Sequence, residues 1–156
     1  MEITITKREN IYKMNLSYNV SSSLEQVWNL LATDSGFARW FPQLRVEGDK
    51  LVFEMEGFRE TMDLLTYQLQ EKIAYTWDTA KISFSLSQRE KGTQILFEEE
   101  IPVDFGNEYA DAQKDMTGWL VQNECIQLLL HGQDLPDHLP LQEKWAAVLK
   151  EELKRI

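Results

Sequence analysis

The chain has 156 residues, 43% of them hydrophobic and 11% aromatic, and 26 acidic against 16 basic side chains give a formal net charge of −10 at pH 7. That is the size of one domain with enough apolar material for a sizeable core. The negative balance argues against nucleic acid and against anionic membrane surfaces as partners, because both are bound mainly through basic patches.

A single cysteine, Cys125, leaves no intrachain disulfide and predicts a reducing compartment. The first residues, Met1 to Thr6, have neither the basic region nor the apolar region of a signal peptide. No apolar run approaches the about 20 residues of a membrane-spanning helix. A cytoplasmic protein is expected.

Taken in order, Tyr12, Met14, Leu16, Tyr18 and Val20 alternate with polar residues, the period of a half-buried strand. Ser21-Ser22-Ser23 then offers a helix cap, with Ser22 three residues before Glu25 and Ser23 three before Gln26, so either pair can close a capping box. The helix that follows turns Leu24, Val27, Trp28 and Leu31 inward. Asp34 or Ser35 is expected to cap a second short helix carrying Phe37, Trp40 and Phe41, stopped by Pro42. From Leu44 to Ile101 the pattern is strands: Leu44-Val46, Leu51-Phe53-Met55, Leu65-Tyr67-Leu69, Ile73-Tyr75-Trp77, Ile82-Phe84-Leu86, and Ile95 to Ile101 after a turn at Glu90 to Thr93. Counting the first, seven strands are predicted, most of them an antiparallel meander with one wet face.

A long amphipathic helix is predicted over 107–132, with Tyr109, Ala112, Met116, Leu120, Asn123, Gln127 and Leu130 on one stripe. Gly118-Trp119 interrupts it, and a mid-helix glycine suggests close packing against a neighbour. Gly132 reads as its C-cap, Pro136 and Pro140 as an extended link. A last helix over 141–156 carries Trp145, Leu149, Leu153 and Ile156 on one stripe, and either packs back on the domain or makes a dimer contact. One domain over 1–156 is expected, with a core over about 12–132 and a helical extension over 133–156.

Strand, two short helices, six antiparallel strands and a long helix make an α+β order in which a curved sheet grips a helix. Val27-Trp28, Trp40, Ala74-Tyr75-Thr76-Trp77, Gly92-Thr93, Gly118-Trp119 and Leu128-Leu129-Leu130-His131-Gly132 carry the resemblance. The order and residues resemble the helix-grip superfamily of the birch-pollen allergen and the START-related lipid-transfer domains. Within it the chain looks most like bacterial relatives of the activator of heat-shock protein 90 ATPase. The resemblance covers roughly residues 12–132 and implies a ligand cavity between sheet and helix, or a chaperone-associated role in stress response. Relatives often carry histidine after the Gly-Trp pair, where this chain has Leu120.

Candidate binding residues are those facing the expected cavity. Alternation puts Glu99 on one face with Ile95, Phe97 and Ile101, and Glu98 and Glu100 on the other. An inward Glu99 would be desolvated and its pKa raised unless it is paired, or it would reach water or a basic side chain at the rim. Asn123 and Gln127, one turn apart, would orient a mostly apolar ligand or satisfy backbone groups. Tyr18, Tyr67, Tyr75, Trp77, Phe84, Phe97, Met116 and Leu120 would line the cavity or pack as core. Arg39 and Arg59 could guard its mouth.

No catalytic set is legible. His131 and His138 fall at a helix end and in a link, Cys125 and His131 lie about 120° apart around the helix, and no nucleophile elbow, phosphate loop or metal-ligand spacing occurs. No cofactor or metal is expected. The leading expectation is non-enzymatic binding of a small hydrophobic or aromatic ligand. A chaperone-interaction module and a cyclase- or aromatase-like enzyme using acid–base residues such as Glu99 and a tyrosine are the alternatives.

Overall fold

A computed structural model describes all residues, 1–156. Eight strands form one antiparallel sheet: β1 (Glu2–Arg8), β2 (Ile11–Val20), β3 (Leu44–Glu47), β4 (Lys50–Met55), β5 (Phe58–Gln68), β6 (Lys72–Trp77), β7 (Ala80–Arg89) and β8 (Gly92–Pro102). Their spatial order is β1-β2-β8-β7-β6-β5-β4-β3, a six-strand meander whose last strand returns to β2. Four helices accompany it: α1 (Leu24–Ala32), α2 (Asp34–Trp40), α3 (Ala112–Leu130) and α4 (His138–Leu153). No helix is long and apolar enough to cross a membrane.

The sheet has one strand more than the seven expected. β1 pairs with β2 from Glu2↔Ser17 to Arg8↔Ile11, but only Ile5 of it is fully buried. With two isoleucines in a short polar run, its alternation is too brief to mark it as a strand.

Rows of side chains across the sheet define the core. Ile5, Met14, Glu99, Ile82, Tyr75 and Leu64 follow one another through successive strand pairings. The next row is Leu16, Phe97, Phe84, Ile73 and Tyr67. All but the β5 residues are buried, on the side covered by the helices. Glu99 is the one ionisable side chain in either row apart from tyrosines.

The expected inward set Leu65-Tyr67-Leu69 is corrected by a bulge. Register shifts between Leu64 and Thr66, so Leu64 and Tyr67 share the helix side while Leu65 turns out, 51% exposed. One extra residue reverses strand parity. Leu69 lies beyond the strand, exposed.

Local signals set the helices. Ser23 closes the capping box with Gln26, its hydroxyl accepting from Gln26 N at 3.2 Å and its own N donating to Oε1 at 3.0 Å. The cap of α2 is Thr33, whose hydroxyl accepts from Gly36 N at 3.2 Å, rather than Asp34 or Ser35. Asp34 instead accepts from Val46 N at 2.7 Å, tying α2 to β3. α1 and α2 meet at Gly36, where a Cβ would stand 2.0 Å from the Asn29 carbonyl oxygen, so no larger residue fits.

α3 starts at Ala112, capped by Asp111, and not at 107; Tyr109 precedes it and is 63% exposed. It is buried on two sides. Met116, Leu120 and Asn123 meet the sheet side, while Val121, Glu124 and Cys125 lie toward α4. The Glu124 carboxylate accepts from Trp145 Nε1 at 3.1 Å and Lys144 Nζ at 2.5 Å. Gly132 (φ +75°) ends α3 as expected, with bonds from Gly132 N to Leu129 O and Gln133 N to Leu128 O. α4 begins at His138 and holds Pro140 in its first turn, where a missing N–H costs nothing. It packs back on α3, so its stripe at Leu149, fully buried, is covered within the chain.

Candidate functional site

The space between α3 and the centre of the sheet is filled by aromatic side chains. Trp119 stands among them, its ring centroid 5.2 Å from Trp77, 5.3 Å from Phe97, 6.2 Å from Phe41, 6.3 Å from Phe84 and 6.5 Å from Tyr75. Met116 and Leu120 are fully buried beside it. Further along α3, the Tyr18 hydroxyl donates to Asn123 Oδ1 at 2.8 Å, and Asn123 Nδ2 donates to the Trp119 carbonyl at 2.9 Å. Both groups are buried and matched. Gln127 is half-buried one turn on. Tyr67 lies at the edge of the core, its ring edge-on to Trp28 at 5.2 Å and its hydroxyl donating to Ala32 O at 2.6 Å.

Open space occurs instead around Trp77 and the first turn of α3. A mainly apolar pocket of about 200 Å³ lies between β4, β5, the end of β6 and the loop over 103–111, with Phe53, Phe58, Met62, Phe105 and Tyr109 as its walls. Asn107 shapes that loop: its Oδ1 accepts from Tyr109 N at 2.8 Å and Ala110 N at 2.9 Å, and its Nδ2 donates to Asp78 Oδ2 at 3.1 Å. On the other side of Asp115 a wider cleft, about 690 Å³, opens between α3 and α4. Trp77, Ala110 and Asp115 border both spaces.

Gly118 lies in the wall of the wider cleft. A Cβ built on it meets nothing within 4 Å, so the glycine leaves a gap rather than admitting a close neighbour. The close packing expected of it is therefore corrected: α4 passes far enough away to leave the cleft. Gly118→Ala is expected to stabilise the protein by about 0.5–1 kcal/mol through helix propensity and a less flexible unfolded chain. Urea unfolding checks it; a loss of stability would mean that the glycine answers a contact absent from this geometry.

Asp115 joins the pocket to the core. Its Oδ1 accepts from Trp77 Nε1 at 3.2 Å, and its Oδ2 has no donor group. Behind it lies Glu99, 0% exposed, neither oxygen receiving a protein N–H or O–H. Glu99 faces the helices, as strand alternation predicts, while Glu98 on the opposite face reaches Lys13 at 3.5 Å. The neighbour Glu99 meets is another carboxyl, so the two can bond only if one carries a proton. Burial, then Asp115, pushes the Glu99 carboxyl well above the usual carboxylate range. Asp115 is raised less clearly: burial lifts it, and bonds from Glu99 and from the Trp77 indole oppose that. Of the two, Glu99 is pushed further toward its neutral form. Such a pair titrates as a unit.

Of the side chains expected at a ligand site, Trp77 alone borders this pocket, and Glu99 reaches it only through Asp115. Tyr18, Tyr75, Phe84, Phe97, Met116, Leu120 and Asn123 are buried in the core. The Tyr75 hydroxyl is buried without a partner, and burial raises its pKa, as it does that of Tyr18. Arg59 pairs with Glu47 and Glu54 on the surface, and Arg39 lies across the molecule beside α1 and Leu130. Cys125 lies 3.7 Å from His138 Nε2, a neighbour in α4 that helical spacing does not reveal; burial raises the thiol's pKa, so it is a poor nucleophile.

Asp115 was the residue sequence reasoning missed. A carboxylate in the first turn of a helix reads as a partner for the positive end of the helix dipole. The available signal was its spacing: Ala112, Asp115, Met116 and Trp119 stand at i, i+3, i+4 and i+7 on the inward face.

No curated protein matches the chain in sequence. Among solved structures, the conserved protein of unknown function EF2215 from Enterococcus faecalis superposes with a TM-score of 0.82 at 22% identity, over 99% of this chain and 91% of that one. CalU16 from Micromonospora echinospora gives 0.68 at 14% identity, over 97% of each chain. The Aha1 dimer from Colwellia psychrerythraea gives 0.59 at 19% identity, over 76% of this chain and 95% of that one. Identities this low establish the fold alone. The family model of the activator of Hsp90 ATPase homolog 1-like proteins matches residues 21–129, from just before α1 to the last turn of α3, and the chain belongs to that family.

Proposed function

We propose that this domain binds a small, mostly apolar ligand in the pocket walled by Phe53, Phe58, Met62, Phe105 and Tyr109, with the ligand's polar end at Asp115. One observation carries the reading: an apolar cavity that ends on a partly unsatisfied carboxyl, held in place by the Trp77 indole. Binding sites for small molecules combine apolar walls with a few placed polar groups in this way. At about 200 Å³ the pocket is below the roughly 300–1,000 Å³ of sites for drug-sized molecules, so a single ring or a short branched chain suits it. Glu99 does not border the pocket, which favours binding over turnover by that residue.

Titration with p-cresol, benzylamine and neopentylbenzene, followed by thermal shift and Trp fluorescence, tests the reading. A ligand at 100 times its Kd is expected to add about 2.7 kcal/mol to stability. Ala110→Trp, which introduces a large side chain at the pocket wall, is expected to abolish the effect. If none of the three binds, or if binding survives that substitution unchanged, the pocket is not the site.

The family is described after an activator of a chaperone ATPase, and a chaperone-associated role for this chain rests on that membership. Stimulation of a purified Hsp90-type ATPase by the chain, unaffected by Ala110→Trp, would favour it over the ligand reading.

A further inference from the structure

The walls of the pocket are unusual in composition. Phe53 lies edge-on to Trp77 (6.2 Å, 87°) and to Phe58 (6.1 Å, 72°), and Phe58 lies edge-on to Tyr109 (5.8 Å, 70°). Successive rings meet near right angles, which makes walls around a space rather than a stack. Between these rings the lining holds three carboxyls, Glu60, Asp78 and Asp115, and no Lys, Arg or His. Three basic side chains on the neighbouring strands are engaged elsewhere: Arg45 and Arg59 with Glu47 and Glu54, Lys50 with Asp63.

We infer that the pocket takes a small organic cation, an ammonium group on a single-ring or short-chain body, held between the aromatic walls and the three carboxyls. This rests on the ligand reading above and adds the sign of the ligand's charge.

Three observations support it. Aromatic faces attract an alkylated ammonium, and the attraction grows where water is excluded. The carboxyls lack a counter-charge: Asp78 receives one bond from Asn107, Asp115 one from Trp77, and Asp115 Oδ2 has none. Burial, and then repulsion from the nearby Asp78, raise the pKa of Glu60. A cation relieves that repulsion, a neutral ligand leaves it, and an anion adds to it. The carboxyls are also too dispersed for a metal ion, since no three His, Cys, Asp or Glu side chains stand close enough to hold one. A body with a diffuse charge and apolar flanks fits such a spread.

The test compares benzyltrimethylammonium with neopentylbenzene, its neutral isostere in which carbon replaces the charged nitrogen, by calorimetry and thermal shift on the full chain. Benzyltrimethylammonium is expected to bind about tenfold or more tightly. Asp115→Asn and Glu60→Gln are each expected to reduce that preference and to leave neopentylbenzene binding in place. Glu143→Gln, an exposed change on α4, controls for general attraction by the net charge and is expected to have no effect. Equal binding of the two isosteres overturns the cation inference and leaves the pocket reading standing. Binding of neither overturns both. A cation preference that Glu143→Gln reduces as much as Asp115→Asn does is non-specific attraction, and also overturns the inference.

Discussion

Trp119→Ala is expected to cost about 3–5 kcal/mol of folding free energy, the range for removing a large buried aromatic side chain. The position explains why the upper part of that range applies. Trp119 is 3% exposed and joins elements far apart in sequence: Phe41 after α2, Tyr75 and Trp77 on β6, Phe84 on β7 and Phe97 on β8. None of these rings can follow a shrinking neighbour, because each sits on a strand or helix end fixed by its own hydrogen bonds. The void persists, and the dispersion contacts on its walls are lost. Against a typical total stability of about 5–15 kcal/mol, the variant is expected to be barely folded at 37 °C. Urea unfolding and near-ultraviolet circular dichroism measure this. A loss under about 1.5 kcal/mol would show that the aromatic core collapses around the gap and is far less rigid than the ring geometry implies.

Glu99→Gln is expected to remove a pH dependence rather than a contact. The folded-state pKa of Glu99 is raised above the 4.5 of an ordinary glutamate by burial and by Asp115. Below that ordinary value both folded and unfolded chains hold the proton, and the full stability is present. As pH rises, the unfolded chain gives up the proton first, so the folded state binds more protons and stability falls. The limiting slope is about 1.4 kcal/mol per pH unit, and the fall continues until pH passes the folded pKa. An amide keeps the shape of the carboxylic acid and has no proton to lose. The variant is therefore expected to match the wild type near pH 4.5 and to exceed it at pH 7, the difference growing with pH between. Unfolding by urea at half-unit pH steps reads it directly. Parallel curves for the two proteins would mean that Glu99 is ionised in the folded state and finds a cation there.

These two experiments probe the two halves of the site. Trp119 tests whether the helix-to-sheet space is a filled core, and Glu99 tests whether the carboxyl behind Asp115 is held neutral. A core that is filled beneath α3 moves the search for a ligand to the pocket beside Trp77, and a neutral Glu99 makes Asp115 the group that a ligand meets.

The periodic parts of the chain announced themselves. Alternation in Tyr12 to Val20 and Ile95 to Ile101 gave β2 and β8 and the inward direction of Glu99, because neighbouring side chains on a strand must point to opposite faces. Ser23 with Gln26, and Gly132 after His131, marked a helix start and a helix end, because those residues satisfy backbone groups within a few positions of themselves. Each of these signals is local. What only the tertiary structure decided is everything that depends on distance across the fold. The bulge at Leu64 and Thr66 exchanged Leu65 for Leu64 on the helix side, β1 joined the sheet on the strength of its partner β2, and α4 settled on α3. The pocket itself is space left between β4, β5, β6 and the loop before α3, elements spread from residue 53 to residue 115. A void has no residues of its own, so no periodicity records it; it exists where four elements, each correct in its own pattern, fail to meet.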